Sequence, residues 1–192
     1  MEYLSGRTLR QIIKKEGMLS LERKVKLFNQ IADALTYAHH QGLIHRDIKP
    51  SNILVDAEDN VTLTDFGIAK AAQYVTSFTG PGRLVGIRQY MLPEHAEGKE
   101  LDHRSDIYSL GVVLYEMLTA KVPFSGKTPT PILYAHVYKK PPSPSRMNPK
   151  IPKPAERVTL KALAKRAWDE VPKCGRDGSR LEGGCGAGAE GE

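Results

Sequence analysis

Residues 45–54 read His-Arg-Asp-Ile-Lys-Pro-Ser-Asn-Ile-Leu, and a short way downstream stands Asp65-Phe66-Gly67. Between them lie two short β-prone runs, Ile53–Val55 and Val61–Thr64, joined by the polar turn Asp56-Ala57-Glu58-Asp59-Asn60. The runs read as a small hairpin with a polar motif on the loop at each end. That order constrains the fold, because the hairpin must bring Asp47, Asn52 and Asp65 together on a rigid support. Three polar groups of these types suit a site that holds a divalent cation and a phosphate chain beside a nucleophile. Phosphoryl transfer asks mainly for positioning and charge neutralisation. A carboxylate such as Asp47 can orient a hydroxyl and take its proton, and Lys49 can offset growing phosphoryl charge. Asn52 and Asp65 supply the hard oxygen ligands that Mg²⁺ or Mn²⁺ prefers.

The hairpin sits between two strong helical patterns. From Ser20, a plausible N-cap, Leu21, Val25, Phe28, Ala32 and Leu35 recur at steps of four and three, stopping near Gly42. Asp106 to Ala120 carries Ile107, Leu110, Val113, Leu114 and Met117, apolar around much of its circumference, and reads as a buried central helix. Shorter helices are expected over Thr8–Lys15, Ile132–Tyr138 and Glu156–Lys165, with a proline-rich stretch at 141–154. Met1 to Leu4 looks extended. The fold class that follows is mainly α with a small β-hairpin, and 192 residues suffice for one domain with a real core.

Composition excludes more than it selects. With 40% hydrophobic and 26% charged residues the chain is ordinary for a soluble protein. No apolar run approaches the roughly 20 residues of a membrane span, and no signal peptide opens the chain. The net charge of +6 is scattered, without a basic stripe interleaved with aromatics, so no nucleic-acid partner is expected. Cys174 and Cys185 lack metal-ligand or disulfide-framework spacing, and a cytoplasmic location is expected. Residues 166–192 hold seven of the seventeen glycines, both cysteines and the single tryptophan, and read as a disordered tail.

Taken together, the 45–54 string and Asp65-Phe66-Gly67 resemble the catalytic and metal loops of protein kinases. The resemblance runs over residues 1–165 and is most like the bacterial relatives of eukaryotic serine/threonine kinases, with Lys49 typical of the serine/threonine class. It implies the large, C-terminal lobe of a protein kinase, transferring the ATP γ-phosphoryl group to Ser or Thr of a protein substrate. By this resemblance Asp47 would be the catalytic base and Lys49 the phosphoryl-stabilising cation, with Asn52 and Asp65 as Mg²⁺ ligands. Met1, Glu2 and Leu4 would belong to the hinge that meets adenine, and Leu54 would pack beneath the ring. His45 and Phe66 would stack inside the lobe, with Gly67 completing the metal loop. Arg46 would pair a phosphorylated activation loop, whose candidate acceptors are Thr76, Ser77 and Thr79. Glu94, in Pro93-Glu94, would close the activation segment, and Asp106 would brace the catalytic loop. His39, His40, His95, His103 and His136 read as surface or packing residues.

Three features depart from the family pattern. No Gly-rich loop, strand lysine or helix glutamate precedes Met1, so the small lobe is expected to be missing or separate. Ile87 stands where a threonine usually bonds the base and the lysine, and Leu92 where a small residue is common. Arg166-Ala167-Trp168-Asp169-Glu170 puts an acid where an arginine usually pairs Glu94, which suggests a reading-frame change after Lys165. A non-catalytic binding module, or the product of a truncated gene, is therefore the alternative to a working enzyme.

Overall fold

The computed structural model describes residues 6–17, 19–66, 90 and 102–165. Met1, Glu2, Leu4, Gly67, Thr76, Ser77, Thr79, Ile87, Leu92 and Glu94 lie outside them, as does the tail from 166. The described part is mainly helical with one small sheet. Strand β1 (Arg7–Thr8) runs directly into helix α1 (Leu9–Glu16). Thr8 Oγ1 accepts the Gln11 amide at 3.2 Å, and the Gln11 side chain accepts the Thr8 amide at 2.8 Å. This capping box starts the helix one residue later than the sequence pattern suggested.

Helix α2 (Leu21–His40) is capped by Ser20, whose hydroxyl accepts the Arg23 amide. Its buried stripe is Lys24, Leu27, Ile31, Leu35 and Ala38. Leu21 and Val25, expected on that stripe, are 45% and 49% exposed, while Phe28 and Ala32 are half-buried. The stripe is rotated because Lys24, a polar residue, occupies a core position that a hydrophobicity pattern passes over. Glycine at 42, with φ +73°, then lets the chain turn back towards the catalytic-type loop.

That loop ends in a 3₁₀ turn over Pro50–Asn52 and enters strand β2 (Ile53–Val55), followed by strand β3 (Val61–Leu63). The sheet has the order β1-β2-β3 and is antiparallel throughout, with Thr8 opposite Leu54 and Ile53 opposite Leu63. The hairpin is thus the centre and one edge of a three-stranded sheet, and β1 was invisible to sequence patterning because it is two residues long. Helix α2 grips the hairpin from the side. Gln30 donates to Asp59 O at 2.8 Å and accepts the Val61 amide at 3.0 Å, and Lys26 Nζ donates to Glu58 O at 2.8 Å.

Helix α3 (His103–Thr119) begins at Asp102, which caps the Arg104 amide at 2.9 Å, and ends where Ala120 takes the left-handed conformation. It is buried on nearly every side, although Ile107 is 44% exposed. It packs against α2 and against the later helices α5 (Pro144–Met147) and α6 (Lys153–Ala162). Helix α4 (Pro129–Tyr138) precedes them. One hydrophobic cluster joins α1, α2, β2 and α3, with Leu27, Ile31, Ile53, Tyr108 and Val113 almost fully buried. Leu114 and Leu118 on the same helix form a second cluster with Ile151. Among the described residues no helix is long and apolar enough to cross a membrane.

The end of the described chain is pinned to this base. Lys165 Nζ lies 4.7 Å from the centre of the Tyr108 ring and 4.9 Å from that of Phe124. It donates to Tyr108 Oη at 2.6 Å and to His136 O. Tyr108 Oη is in turn hydrogen-bonded to Nδ1 of the buried His136 at 2.9 Å.

Helices α3 and α6 approach closely at Gly111, where an added Cβ would stand 2.8 Å from Ala162 Cβ and 3.3 Å from Leu163. Gly111→Ala forces α3 and α6 apart and is expected to destabilise the fold by about 1–3 kcal/mol, read as a lower urea midpoint with an unchanged slope.

Candidate active site

The loop between α2 and the 3₁₀ turn owes its shape to one buried carboxylate. Asp106, on the first turn of α3, is 1% exposed. Its Oδ2 accepts the His45 amide and its Oδ1 the Arg46 amide, each at 2.8 Å. His39 Nε2, from the last turn of α2, donates to Oδ2 at 2.8 Å. Three donors on one carboxylate offset the cost of burying it. They also fix a backbone that is not relaxed, since Arg46 has φ +64°, a conformation disfavoured for a side-chain-bearing residue by about 1–2 kcal/mol.

Next along the chain, Asp47 turns inward. Its Oδ2 accepts from Lys49 Nζ at 2.8 Å and from Asn52 Nδ2 at 3.0 Å. Asn52 Nδ2 also donates to Asp47 O at 3.0 Å, and the asparagine is 5% exposed. With both amide protons of Asn52 directed at Asp47, its Oδ1 has, among the described residues, only a long 3.4 Å contact from Ser51 Oγ. It is therefore a carbonyl-type oxygen able to accept a cation. On the other side of the hairpin, Thr64 N and Thr64 Oγ1 donate to Asn52 O at 2.9 and 3.3 Å. Those bonds tie the exit of β3 to the end of the 3₁₀ turn. Asp65 follows with φ +58° and an exposed side chain that has no hydrogen-bond or ion-pair partner among the described residues. Arg46 and Asp65 are thus the left-handed residues on the two sides of the site, a form of strain that persists only where surrounding contacts over-determine it.

His45 joins the two loops. It is fully buried, its Nε2 donates to Thr64 O at 3.0 Å, and its Nδ1 accepts the Asp47 amide in a long 3.4 Å contact. The ring lies 4.5 Å from that of Phe66. One nitrogen must donate and the other accept, so only the neutral imidazole fits. Burial pushes its basicity down in the same direction, against the opposing pull of Asp106.

The site therefore brings together His45, Arg46, Asp47, Lys49, Asn52, Phe66 and Asp106, with Asp65 at its solvent edge. Leu54 is half-buried at the middle of the sheet, between Thr8 and Thr62. Arg46 Nε is buried and finds no hydrogen-bond partner among the described residues. Reading His39 as a surface or packing residue missed a role, since its ring nitrogen is bonded to Asp106. No sequence signal marks it, because its partner is 67 residues away. Also unforeseen is the pair in which the buried Tyr90 Oη donates to Oε2 of the half-buried Glu116 at 2.5 Å. Burial raises the Glu116 carboxyl above its ordinary range, while Tyr90, Arg10 and Lys14 pull the other way. Among the described residues no three His, Cys, Asp or Glu side chains form a metal cluster.

The sequence pattern of the protein kinase domain matches residues 1–172. The chain belongs to the protein kinase domain family. It is 43% identical over 165 residues to the serine/threonine-protein kinase PknB of Mycobacterium leprae, covering 86% of this chain and 26% of that protein. PknB of Mycobacterium tuberculosis is 43% identical over 166 residues, with the same two shares. A probable serine/threonine-protein kinase of Clostridium acetobutylicum is 42% identical over 166 residues, covering 86% of this chain and 25% of that kinase. The chain spans about a quarter of the length of the curated relatives it matches.

Two pH dependences follow. The folded protein holds His45 neutral while the unfolded chain takes up a proton below the ordinary value of 6.5, so this residue costs stability as pH falls below that point. His45→Phe removes the effect, and the difference in melting temperature between wild type and variant is expected to shift against the wild type below pH 6.5. Glu116 has the opposite sign. The unfolded carboxyl ionises from 4.5 while the folded one resists, so wild type loses stability relative to Glu116→Gln as pH rises through and above 4.5. Paired thermal melts from about pH 4 to about pH 7 check both.

Proposed function

We propose that this chain is the catalytic-loop part, spanning residues 1–165, of a serine/threonine protein kinase, and that its site transfers the γ-phosphoryl group of ATP to a Ser or Thr hydroxyl of a protein. The observation that carries the reading is Asp47 Oδ2 holding both Lys49 Nζ and Asn52 Nδ2, with two backbone amides just before Asp47 anchored on Asp106. A carboxylate so placed orients the substrate hydroxyl and takes its proton as the oxygen attacks phosphorus. The bond from phosphorus to the β–γ bridging oxygen breaks and ADP leaves. Lys49, which neutralises Asp47 at rest, swings its ammonium to the transferring phosphoryl as negative charge gathers there.

Asn52 Oδ1 and the Asp65 carboxylate are the hard oxygens that would hold Mg²⁺ or Mn²⁺, and the donor set fits such an ion. When bound, the cation neutralises phosphate charge. Asn52 is positioned for this by its two bonds to Asp47, and Asp65 by the Thr64–Asn52 ties. By family likeness Met1, Glu2 and Leu4 would meet adenine with Leu54 beneath it. Arg46 would receive a phosphate on Thr76, Ser77 or Thr79, Gly67 would complete the metal loop, and Glu94 would end the activation segment. Arg46 Nε, buried and without a hydrogen-bond partner among the described residues, is consistent with a donor kept for such a charge.

Transfer of label from γ-labelled ATP to a Ser/Thr peptide, in the presence of Mg²⁺, tests the proposal. The 192 residues by themselves are expected to give no signal above the Asp47→Ala background. Preceded in one polypeptide by a protein-kinase small lobe with a Gly-rich loop and a strand lysine, they are expected to transfer label. Asp47→Asn should then lower kcat by about 10²–10⁴-fold. Transfer that survives Asp47→Asn overturns the assignment.

A further inference from the structure

We propose that Met147 is an oxidative modification site, where a hydroperoxide makes methionine sulfoxide and the Tyr115 hydroxyl becomes the donor that holds the new oxygen. Tyr115, on α3, is fully buried, and its Oη donates to Met147 Sδ at 3.4 Å. Among the described residues that sulfur is the one hydrogen-bond acceptor the hydroxyl meets. A thioether is a weak acceptor, so a phenol shut away from water is left poorly satisfied. Met147 closes α5 and is 47% exposed, so a small reagent can approach it from solvent while the phenol meets it from within. Met117, the other methionine among the described residues, is 1% exposed.

In the step itself a sulfur lone pair attacks one oxygen of the peroxide, the O–O bond breaks and a bond from sulfur to oxygen forms. After proton transfer, water or an alcohol leaves; the sulfur has given up two electrons and the peroxide has taken them. Two thiols reverse the change, ending as a disulfide and water. The sulfoxide oxygen is a stronger acceptor than the thioether, and methionine, unbranched with three rotatable bonds, can turn it towards Oη. Neighbouring residues tie the same segment to α3. Asn148 Nδ2 donates to Leu118 O at 3.4 Å, and Ile151 packs with Leu114 and Leu118. Oxidation at Met147 therefore acts on the seam between α3 and the proline-rich stretch, and Tyr115 decides its effect. With the hydroxyl present the polar oxygen is bonded; without it the oxygen is stranded beside an apolar ring.

A plainer explanation is that Met147 only fills space at the edge of the core, so that its sulfoxide loosens packing whatever stands at 115. Dilute hydrogen peroxide on the 192-residue chain, followed by peptide mass spectrometry and thermal melts, separates the two. In wild type Met147 is expected to oxidise about tenfold or more faster than Met117, as exposure dictates. Wild type, Tyr115→Phe and Met147→Leu are melted before and after the same treatment, with Met147→Leu giving the shift due to the other methionines. Beyond that background, oxidation is expected to lower the Tm of Tyr115→Phe by about 2–4 °C more than that of wild type, the effect of one neutral hydrogen bond. Equal shifts, or a larger loss in wild type, overturn the proposal, as does equal oxidation of Met147 and Met117. If Tyr115→Phe does not fold, amide exchange in wild type decides. The Asn148 and Ile151 amides, bonded to Pro144 O and Asn148 O, are expected to exchange no faster after oxidation, and faster exchange overturns the assignment.

Discussion

The structure depends on a negative charge buried at the start of its central helix. Asp106 is out of contact with water, and such a carboxylate is tolerated only when its oxygens are met by donors. Here the donors are two consecutive backbone amides and one imidazole, drawn from the loop and from α2. The arrangement constrains both sides. The loop cannot relax its left-handed residue without stranding the charge, and α3 cannot slide along α2 without breaking the imidazole bond. Apolar packing sets where α3 lies, through Tyr108, Val112, Val113 and Tyr115, and the carboxylate converts that placement into a loop geometry.

The hairpin acts as a spacer of fixed length. Its entrance is the 3₁₀ turn bearing Asn52, and its exit is Thr64, whose amide returns to Asn52 O. Three-residue strands cannot hold themselves together in water, so the spacer is braced from outside by β1 and by α2. The brace from α2 is mixed in quality. Gln30 satisfies a strand-edge amide and a turn carbonyl at once, which would otherwise need water. Arg23, bonded to Asp59 and to Glu16, is a partly exposed ion-pair cluster whose contribution is screened and small.

How much of this could be read from the chain follows from the range of the interactions. The ten-residue string and Asp65-Phe66-Gly67 are local and dense in rare residue types, so their meaning survives without a structure. Helices α2 and α3 were legible because each carries several turns of apolar repeat. Two elements were not: strand β1 is too short for any period, and helix α5 lies in the proline-rich stretch. Helices α4 and α6 were legible over Ile132–Tyr138 and Glu156–Lys165, but each starts three residues earlier, with a proline in its first turn that reads locally as a breaker although it suits a helix start. The buried face of α2 was misjudged because Lys24 sits in it. The partners of His39 and Glu116 lie tens of residues away, and nothing in a neighbouring residue announces a contact made only by folding. The sequence also placed Glu94, the hinge residues and the threonine candidates by resemblance alone, since no local physical signal fixes them.

What finally unites the two motif loops is a single ring. Asp106 anchors His45 by its amide, yet the side chain of His45 faces the opposite way, towards the exit of β3. There it donates to Thr64 O, receives the Asp47 amide and lies against Phe66. Asp47 and Asp65 sit on either side of those contacts, so a shift of one loop is passed to the other through a group that has no room to tilt. The coupling requires one protonated and one unprotonated nitrogen, which an apolar ring cannot supply and a charged imidazole would break. Neutral histidine is therefore demanded by the hydrogen-bond pattern itself, and burial, by disfavouring the charged form, reinforces that demand. The helix anchors the amide and the ring spans the gap. In this way a carboxylate on α3 bears, through His45, on the spacing between Asp47 and Asp65.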